Sequence, residues 1–327
     1  MKQNTDLFAF AIAIVFSLFF SQGQADVTNP FLPHPDPFVT RSQDGKTYYL
    51  LCSMGSNITI YDGSSLSTIT SHSTTVFTPT DDMKELWSPT LWYMKGNWWI
   101  YFTATYPHAS HRIYVLKSTS DDALGPYLFQ GEFPTAPPSI DPSILTIHGT
   151  DYLMYVRAAH GCNSVWITAL ADPMTPTGPN TQLIYPDRSW EKGGKTSDNY
   201  PVSEGPTALY HEDKTFIVYS GSDTATPVYC LGLLTYINVG DPTDIHKWIK
   251  KGPVFSASPE NGVYGPGRGT FTKSSDGTQD WIIYHAKNTK AQDTHGRSLR
   301  MQPFTWYEDG TPNFGTPVPE GPMTGGD

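Results

Sequence analysis

Glu85-Leu86-Trp87-Ser88-Pro89-Thr90-Leu91-Trp92-Tyr93-Met94-Lys95-Gly96-Asn97-Trp98-Trp99-Ile100-Tyr101 is one copy of a pattern that the chain writes five times. A proline opens it, a mostly apolar run follows, a turn interrupts, and an aromatic run ends in tyrosine. The prolines are Pro37, Pro89, Pro142, Pro206 and Pro266, at intervals of 52, 53, 64 and 60 residues. The closing runs are Thr47-Tyr48-Tyr49, Trp98 to Tyr101, Tyr152 to Tyr155, Phe216 to Tyr219 and Trp281 to Tyr284. Between them stand Asp44-Gly45, Gly96-Asn97, His148-Gly149, Glu212-Asp213 and Asp276-Gly277, residues that tolerate the positive φ of a tight hairpin. Each unit therefore opens with a β-hairpin. A third strand is expected at Ile58 to Tyr61, Arg112 to Leu116, Val165 to Leu170, Tyr229 to Leu234 and Leu299 to Phe304. A shorter fourth shows at Val76-Phe77, Tyr127 to Phe129, Leu183 to Tyr185 and Val254-Phe255. Four strands in each of five units predict an all-β chain, a five-bladed β-propeller forming one domain over residues 26–327. The aromatic runs are expected in the blade cores, with strand alternation burying one face of each.

The first residues read as an export signal over 1–25: Lys2 is the positive end, Leu7 to Phe20 is nearly all apolar, and Gly23-Gln24-Ala25 offers a cleavage site. That run is short for a bilayer span, so the expectation is a secreted, extracellular protein without a membrane partner. A formal charge of −10, with no concentrated basic surface in the pattern, argues against nucleic acid. Cys52, Cys162 and Cys230 are too few for a disulfide framework, and at least one thiol is expected buried and inert. Asn57-Ile58-Thr59 is a glycosylation sequon. His108 and His111 lack the companions of a metal site and read as loop residues.

Equivalent positions of a repeat closed around an axis meet in space. The residues ahead of the five prolines are Asp36, Ser88, Asp141, Glu204 with Gly205, and Gly265. Three carboxyl groups thus converge on one funnel. Asp-Pro alone is a common turn, and Asp172-Pro173 and Asp241-Pro242 are read as outer loops; only phase sets Asp36 and Asp141 apart. With no cationic partner evident in the pattern, the three acids should repel, so that one keeps its proton and another ionises. Glycosidic hydrolysis needs that split: one acid protonates the leaving oxygen, and one base activates water. Trp87, next to Ser88, either offers an apolar ring face to a sugar or packs between blades. His34, Arg268 and His285 lie near enough to the same positions to be candidate substrate contacts.

At these residues the chain resembles glycoside hydrolase family 43. The carriers are Asn29-Pro30 with Asp36-Pro37, Glu85 to Pro89, Ile140-Asp141-Pro142, Ser203-Glu204-Gly205-Pro206, Tyr264-Gly265-Pro266-Gly267 and Tyr284-His285-Ala286. The resemblance implies a five-bladed propeller that hydrolyses arabinose- or xylose-containing plant polysaccharides with inversion. It implies Asp36 as general base, Glu204 as general acid and Asp141 as the residue that tunes the acid. Within the family, Ser258 to Tyr264 and Arg300 to Trp306 look more like α-L-arabinofuranosidases and exo-acting arabinanases than β-xylosidases. Many relatives carry histidine where this chain has Arg268, and that histidine helps hold a metal or water. A fixed guanidinium is cationic without a metal, so no cofactor is required and a channel calcium is not expected.

The leading expectation is a monomeric, secreted, inverting arabinofuranosidase acting on arabinan, arabinoxylan or their oligosaccharides. β-Xylosidase or endo-arabinanase activity on the same scaffold is the enzymatic alternative. The Asn-Asp-Pro-Asn, Arg-Asp-Pro and Glu-Cys signatures of fructan-cleaving propellers do not occur at the three acids. A non-catalytic sugar-binding propeller is the alternative from another class.

Overall fold

The computed structural model describes residues 27–80, 82–106, 110–193 and 200–323. The export segment at 1–25 and His108 lie outside the described residues. Among those described there is no α-helix, only the single 3-10 turns Ser189–Glu191, Ile245–Lys247 and Pro259–Asn261. None is long and apolar enough to cross a membrane.

Five antiparallel sheets follow one another along the chain, as the repeat requires. Their inner strands are Phe38–Arg41, Lys84–Met94, Ser139–Ile147, Ser203–His211 and Tyr264–Lys273. Each inner strand contacts the next, and the fifth returns to the first, closing a ring around the axis. The expected turns join these to the second strands Tyr48–Leu51, Asn97–Thr105, Thr150–Ala159, Lys214–Gly221 and Asp280–Lys287. The third strands fall where the sequence places them. Blade 5 alone lacks a legible fourth strand, and there the structure has only Pro312–Asn313, paired with Thr305 and Trp306.

The rest of that outer edge is filled from the other end of the chain. Leu32 bridges to Leu299, and Asn29 donates from Nδ2 to the Met301 carbonyl at 2.7 Å while its Oδ1 accepts from the Met301 N–H at 2.9 Å. Val27–Asn29 also pairs with Gly321–Met323. Blade 5 is thereby tied to the first residues of the fold, which leaves no long unpaired edge at the junction.

The aromatic runs are buried as expected, but on both faces rather than one. Along Asn97–Thr105, Trp98, Ile100 and Phe102 enter the core between blades 1 and 2. Trp99 and Tyr101 enter the core between blades 2 and 3. A blade inside a propeller has a neighbour on each side, so both sets of alternating side chains leave water. At roughly 1.5–3 kcal/mol per large apolar side chain, five such interfaces are the main source of cohesion. Cys52, Cys162 and Cys230 are free and buried, and burial pushes all three thiols up, so they act as packing residues.

Candidate active site

The residue before each repeat proline is left-handed: φ is 59° at Asp36, 49° at Ser88, 58° at Asp141, 58° at Gly205 and 58° at Gly265. In blades 2 to 5 the inner-strand register breaks across this position, between Trp87 and Thr90, Ile140 and Ser143, Glu204 and Thr207, and Tyr264 and Gly267. Proline contributes no N–H to the ladder, and the bulge re-aims the preceding side chain. Non-glycine residues in this conformation carry strain of order 1–3 kcal/mol each. Such strain persists only where the surroundings hold it.

Side chains of neighbouring strands do the holding. The Asp36 N–H donates to His285 Nδ1 at 3.1 Å, the Ser88 N–H to Ser53 Oγ at 2.7 Å, and the Asp141 N–H to Thr103 Oγ1 at 3.1 Å. Each acceptor comes from the second strand of the preceding blade or the residues just after it. The Gly205 N–H donates instead to Asp141 Oδ2 at 3.1 Å. His285 is therefore one of a set of side chains that accept the N–H of the left-handed residue before a repeat proline. It is fully buried and stacks on Tyr229.

A cavity of about 830 Å³ opens at this end of the axis. Asp36, Asp141, Glu204, Trp87, Ser88 and Arg268 are all on its wall, so six of the eight candidate residues meet in one place. His285 is behind Asp36, not on the wall. His34 is not on the wall either, although Pro35 and Asp36 beside it are. Trp87 joins the wall with its ring stacked on His111 at 4.1 Å, and His111 Nε2 lies 3.0 Å from Glu85 Oε2.

The expectation that the carboxyl groups lack cationic partners is overturned. Arg268 Nη1 lies 3.1 Å from Asp141 Oδ2, and its Nε lies 3.6 Å from Asp36 Oδ1. Arg297 Nη1 approaches Asp36 Oδ1 at 3.5 Å. Two guanidinium groups offset two carboxylates, and Glu204, without a cation in ion-pair contact among the described residues, is the third carboxyl.

Burial opposes the charge on Asp36, but the Arg297 and Arg268 guanidinium groups outweigh it and hold this carboxyl far below its usual range. Ser53 Oγ also donates to Asp36 Oδ2 at 2.7 Å. Burial, opposed by Arg268, pushes Asp141 up, and the Asp36 charge adds to the rise. Asp141 nevertheless accepts from Ser88 Oγ at 2.8 Å and from the Gly205 N–H as well as facing Arg268. Three donors favour its anion, so of the coupled pair Glu204 keeps the proton. Burial and the Asp141 charge push Glu204 up to about 8, against the Tyr229 hydroxyl, which donates to its Oε1 at 2.9 Å. His285 is lowered to about 4, chiefly by burial. Its Nδ1 accepts a backbone N–H, so the ring is neutral, with its proton on Nε2 facing Thr224 Oγ1 at 3.5 Å.

Sequence reasoning did not single out Arg297, Tyr229, Ser53 or Thr224. Arg297 and Thr224 stand in the connections 288–297 and 222–229, between second and third strands. In a propeller these connections crown the end where the inner strands begin. Their length in blades 4 and 5 is the signal that would have found them.

Arg268 fills the space between Asp36 and Asp141, where its charge would repel a divalent cation, and no described group of three His, Cys, Asp or Glu is arranged to hold a metal.

Fold and cavity together define a class: a five-bladed propeller with an acidic site at the mouth of its axial channel. Comparison with known proteins narrows it. Residues 27–312 match the family described as Glycosyl hydrolases family 43, and the chain belongs to that family. It is 35% identical over 252 residues to an extracellular exo-alpha-(1->5)-L-arabinofuranosidase of Streptomyces avermitilis, covering 72% of this chain and 51% of the relative. It is 31% identical over 281 residues to a protein of the same description from Streptomyces chartreusis, covering 81% and 84%. The chain thus spans about half the length of the first relative and most of the second. A solved alpha-L-arabinofuranosidase from Lactobacillus brevis superposes with a TM-score of 0.82 at 28% identity, over 90% of this chain and 97% of that one.

Proposed function

We propose that this protein is a secreted glycoside hydrolase that releases terminal α-L-arabinofuranose from arabinan, arabinoxylan or their oligosaccharides, with inversion. The observation that carries the reading is one cavity that brings together Asp36, faced by two guanidinium groups, and the buried Glu204, which has no such partner among the described residues. The relatives' descriptions supply the sugar, and the extracellular designation of two of them supports secretion.

The chemistry follows from the two protonation states. Asp36 takes a proton from a water molecule as that water attacks the anomeric carbon. Glu204 gives its proton to the departing glycosidic oxygen. Inversion requires room for the water, a carboxyl separation of roughly 6.5–9.5 Å. Asp141 acts as the modulator: its charge raises the affinity of Glu204 for the proton while Ser88, Gly205 and Arg268 hold it in place. Arg268 supplies fixed positive charge without a metal.

Two experiments test this. Early-time NMR of the released sugar should show the β-L-arabinofuranose anomer first; the α anomer would exclude inversion. Glu204→Ala should lose about 10²–10⁴-fold on a natural linkage but far less on an aryl glycoside whose leaving group needs no proton. Equal losses on both substrates would remove Glu204 from the acid role.

A further inference from the structure

Lys287 ends the second strand of blade 5, two residues beyond His285, and is 1% exposed. Its ammonium donates to three backbone carbonyl groups: Ala225 at 2.8 Å, Ala291 at 2.6 Å and Asp293 at 3.1 Å. An ammonium has three N–H donors and so can serve all three. Those carbonyl groups belong to two different connections. Ala225 follows Thr224 on the 222–229 connection, and Ala291 and Asp293 precede Thr294 and Arg297 on the 288–297 connection. Thr224, Thr294, His295 and Arg297 all face the cavity. Arg297 is in turn braced by Thr224 Oγ1 at 3.3 Å and by the Thr294 carbonyl at 3.0 Å.

We propose that Lys287 is a positioning residue: its ammonium fastens the two connections to each other and so holds the Arg297 guanidinium against Asp36. Lys287 is not on the cavity wall, so any effect on the reaction passes through Arg297 and the loops. A carbonyl-bound ammonium suits this task, because both connections are irregular and the carbonyl groups of Ala225, Ala291 and Asp293 lie outside the strand ladders.

The inference rests on Asp36 being the base, and its test separates the two claims. Lys287→Met is made in the full chain and examined by hydrogen exchange and by the pH dependence of kcat/KM. Amides of 288–297 and 222–229 should exchange about tenfold faster or more, while blade cores stay protected. KM should rise, and the acid limb should move up by about one pH unit as Arg297 slackens. The other groups facing Asp36, namely Arg268, His285, Asp141, Glu204 and Cys52, are unaltered. Should the methionine variant not fold, Lys287→Gln, whose shorter amide cannot reach all three carbonyl groups, gives the same readouts. Unchanged exchange in the two connections overturns the proposal. Faster exchange with an unmoved acid limb and unchanged KM overturns the link to Asp36. Asp36→Asn, measured alongside, isolates the other claim: near-normal activity there removes the base assignment but leaves the exchange result standing.

Discussion

Tyr229→Phe tests the acid assignment without touching an acid. The phenol is fully buried, and its hydroxyl donates to Glu204 Oε1 at 2.9 Å. A hydrogen bond to a carboxylate is worth about 1.5–3 kcal/mol, and one to a neutral carboxyl about 0.5–1.5 kcal/mol. The hydroxyl therefore favours ionised Glu204 by roughly 1–1.5 kcal/mol, or about one pH unit. Removing it should carry the proton affinity of Glu204 further up from its value of about 8. Because the acid works protonated, the basic limb of kcat/KM should move from near 8 to about 9. Tyr229 itself cannot mimic the limb, since burial and the Glu204 charge hold its phenol well above its ordinary range. The assay is kcat/KM on an arabinofuranosyl disaccharide from pH 5 to 10, with thermal midpoints confirming that phenylalanine keeps the ring stacked on His285. A basic limb that stays put or moves down would mean that Glu204 is not the titrating donor, or that the Tyr229 hydroxyl does not govern it.

Two further predictions concern the folded chain itself. Glu204 holds its proton up to about 8, whereas an unfolded glutamic acid releases it near 4.5, so its stabilising contribution is complete below 4.5 and fades as pH rises through 8. Glu204→Gln should therefore raise the thermal midpoint more at pH 8 than at pH 5, and parallel shifts at both would contradict the raised affinity. Gly205→Ala should cost at least about 1–2 kcal/mol from its left-handed backbone alone. Its new methyl would also run into Arg268 Cδ. Activity should fall further than the loss of folded protein explains, and full turnover below the melting range would show that Arg268 placement matters little.

The propeller was legible because its repeat is written in residues with strong backbone preferences. Prolines at one phase, turn dipeptides a fixed distance on and aromatic runs after them leave little choice of register. The closure was not legible, because Asn29 meets Met301 across nearly the whole chain and Pro312–Asn313 is too short to show a pattern. Asp36 and Asp141 were found through phase alone. Glu204 stands one residue out of phase, since the left-handed position in its blade is Gly205. Arg297 and Tyr229 were invisible for a different reason: each belongs to one blade only, and a repeat argument sees only what recurs. His285 was noticed for its chemistry, yet its burial and its bond to the Asp36 N–H make it a support for the backbone.

Departures from symmetry explain why the site is asymmetric on a symmetric scaffold. Five equivalent bulges would place five like side chains on the funnel, and five acids there could not all ionise. Blades 1 and 3 use aspartate, and blade 2 uses serine, whose hydroxyl bridges to Asp141. Blades 4 and 5 use glycine. At Gly205 the missing side chain leaves the space that the Arg268 stem fills, and the freed N–H turns onto Asp141. Glu204 is thereby displaced from the position that Arg268 neutralises, and its proton is the result. The same glycine admits the cation that keeps Asp36 and Asp141 charged and sets the third carboxyl apart. Placing an acid at 205 in strict register would crowd Arg268 out and leave three equivalent carboxyl groups with no reason to differ.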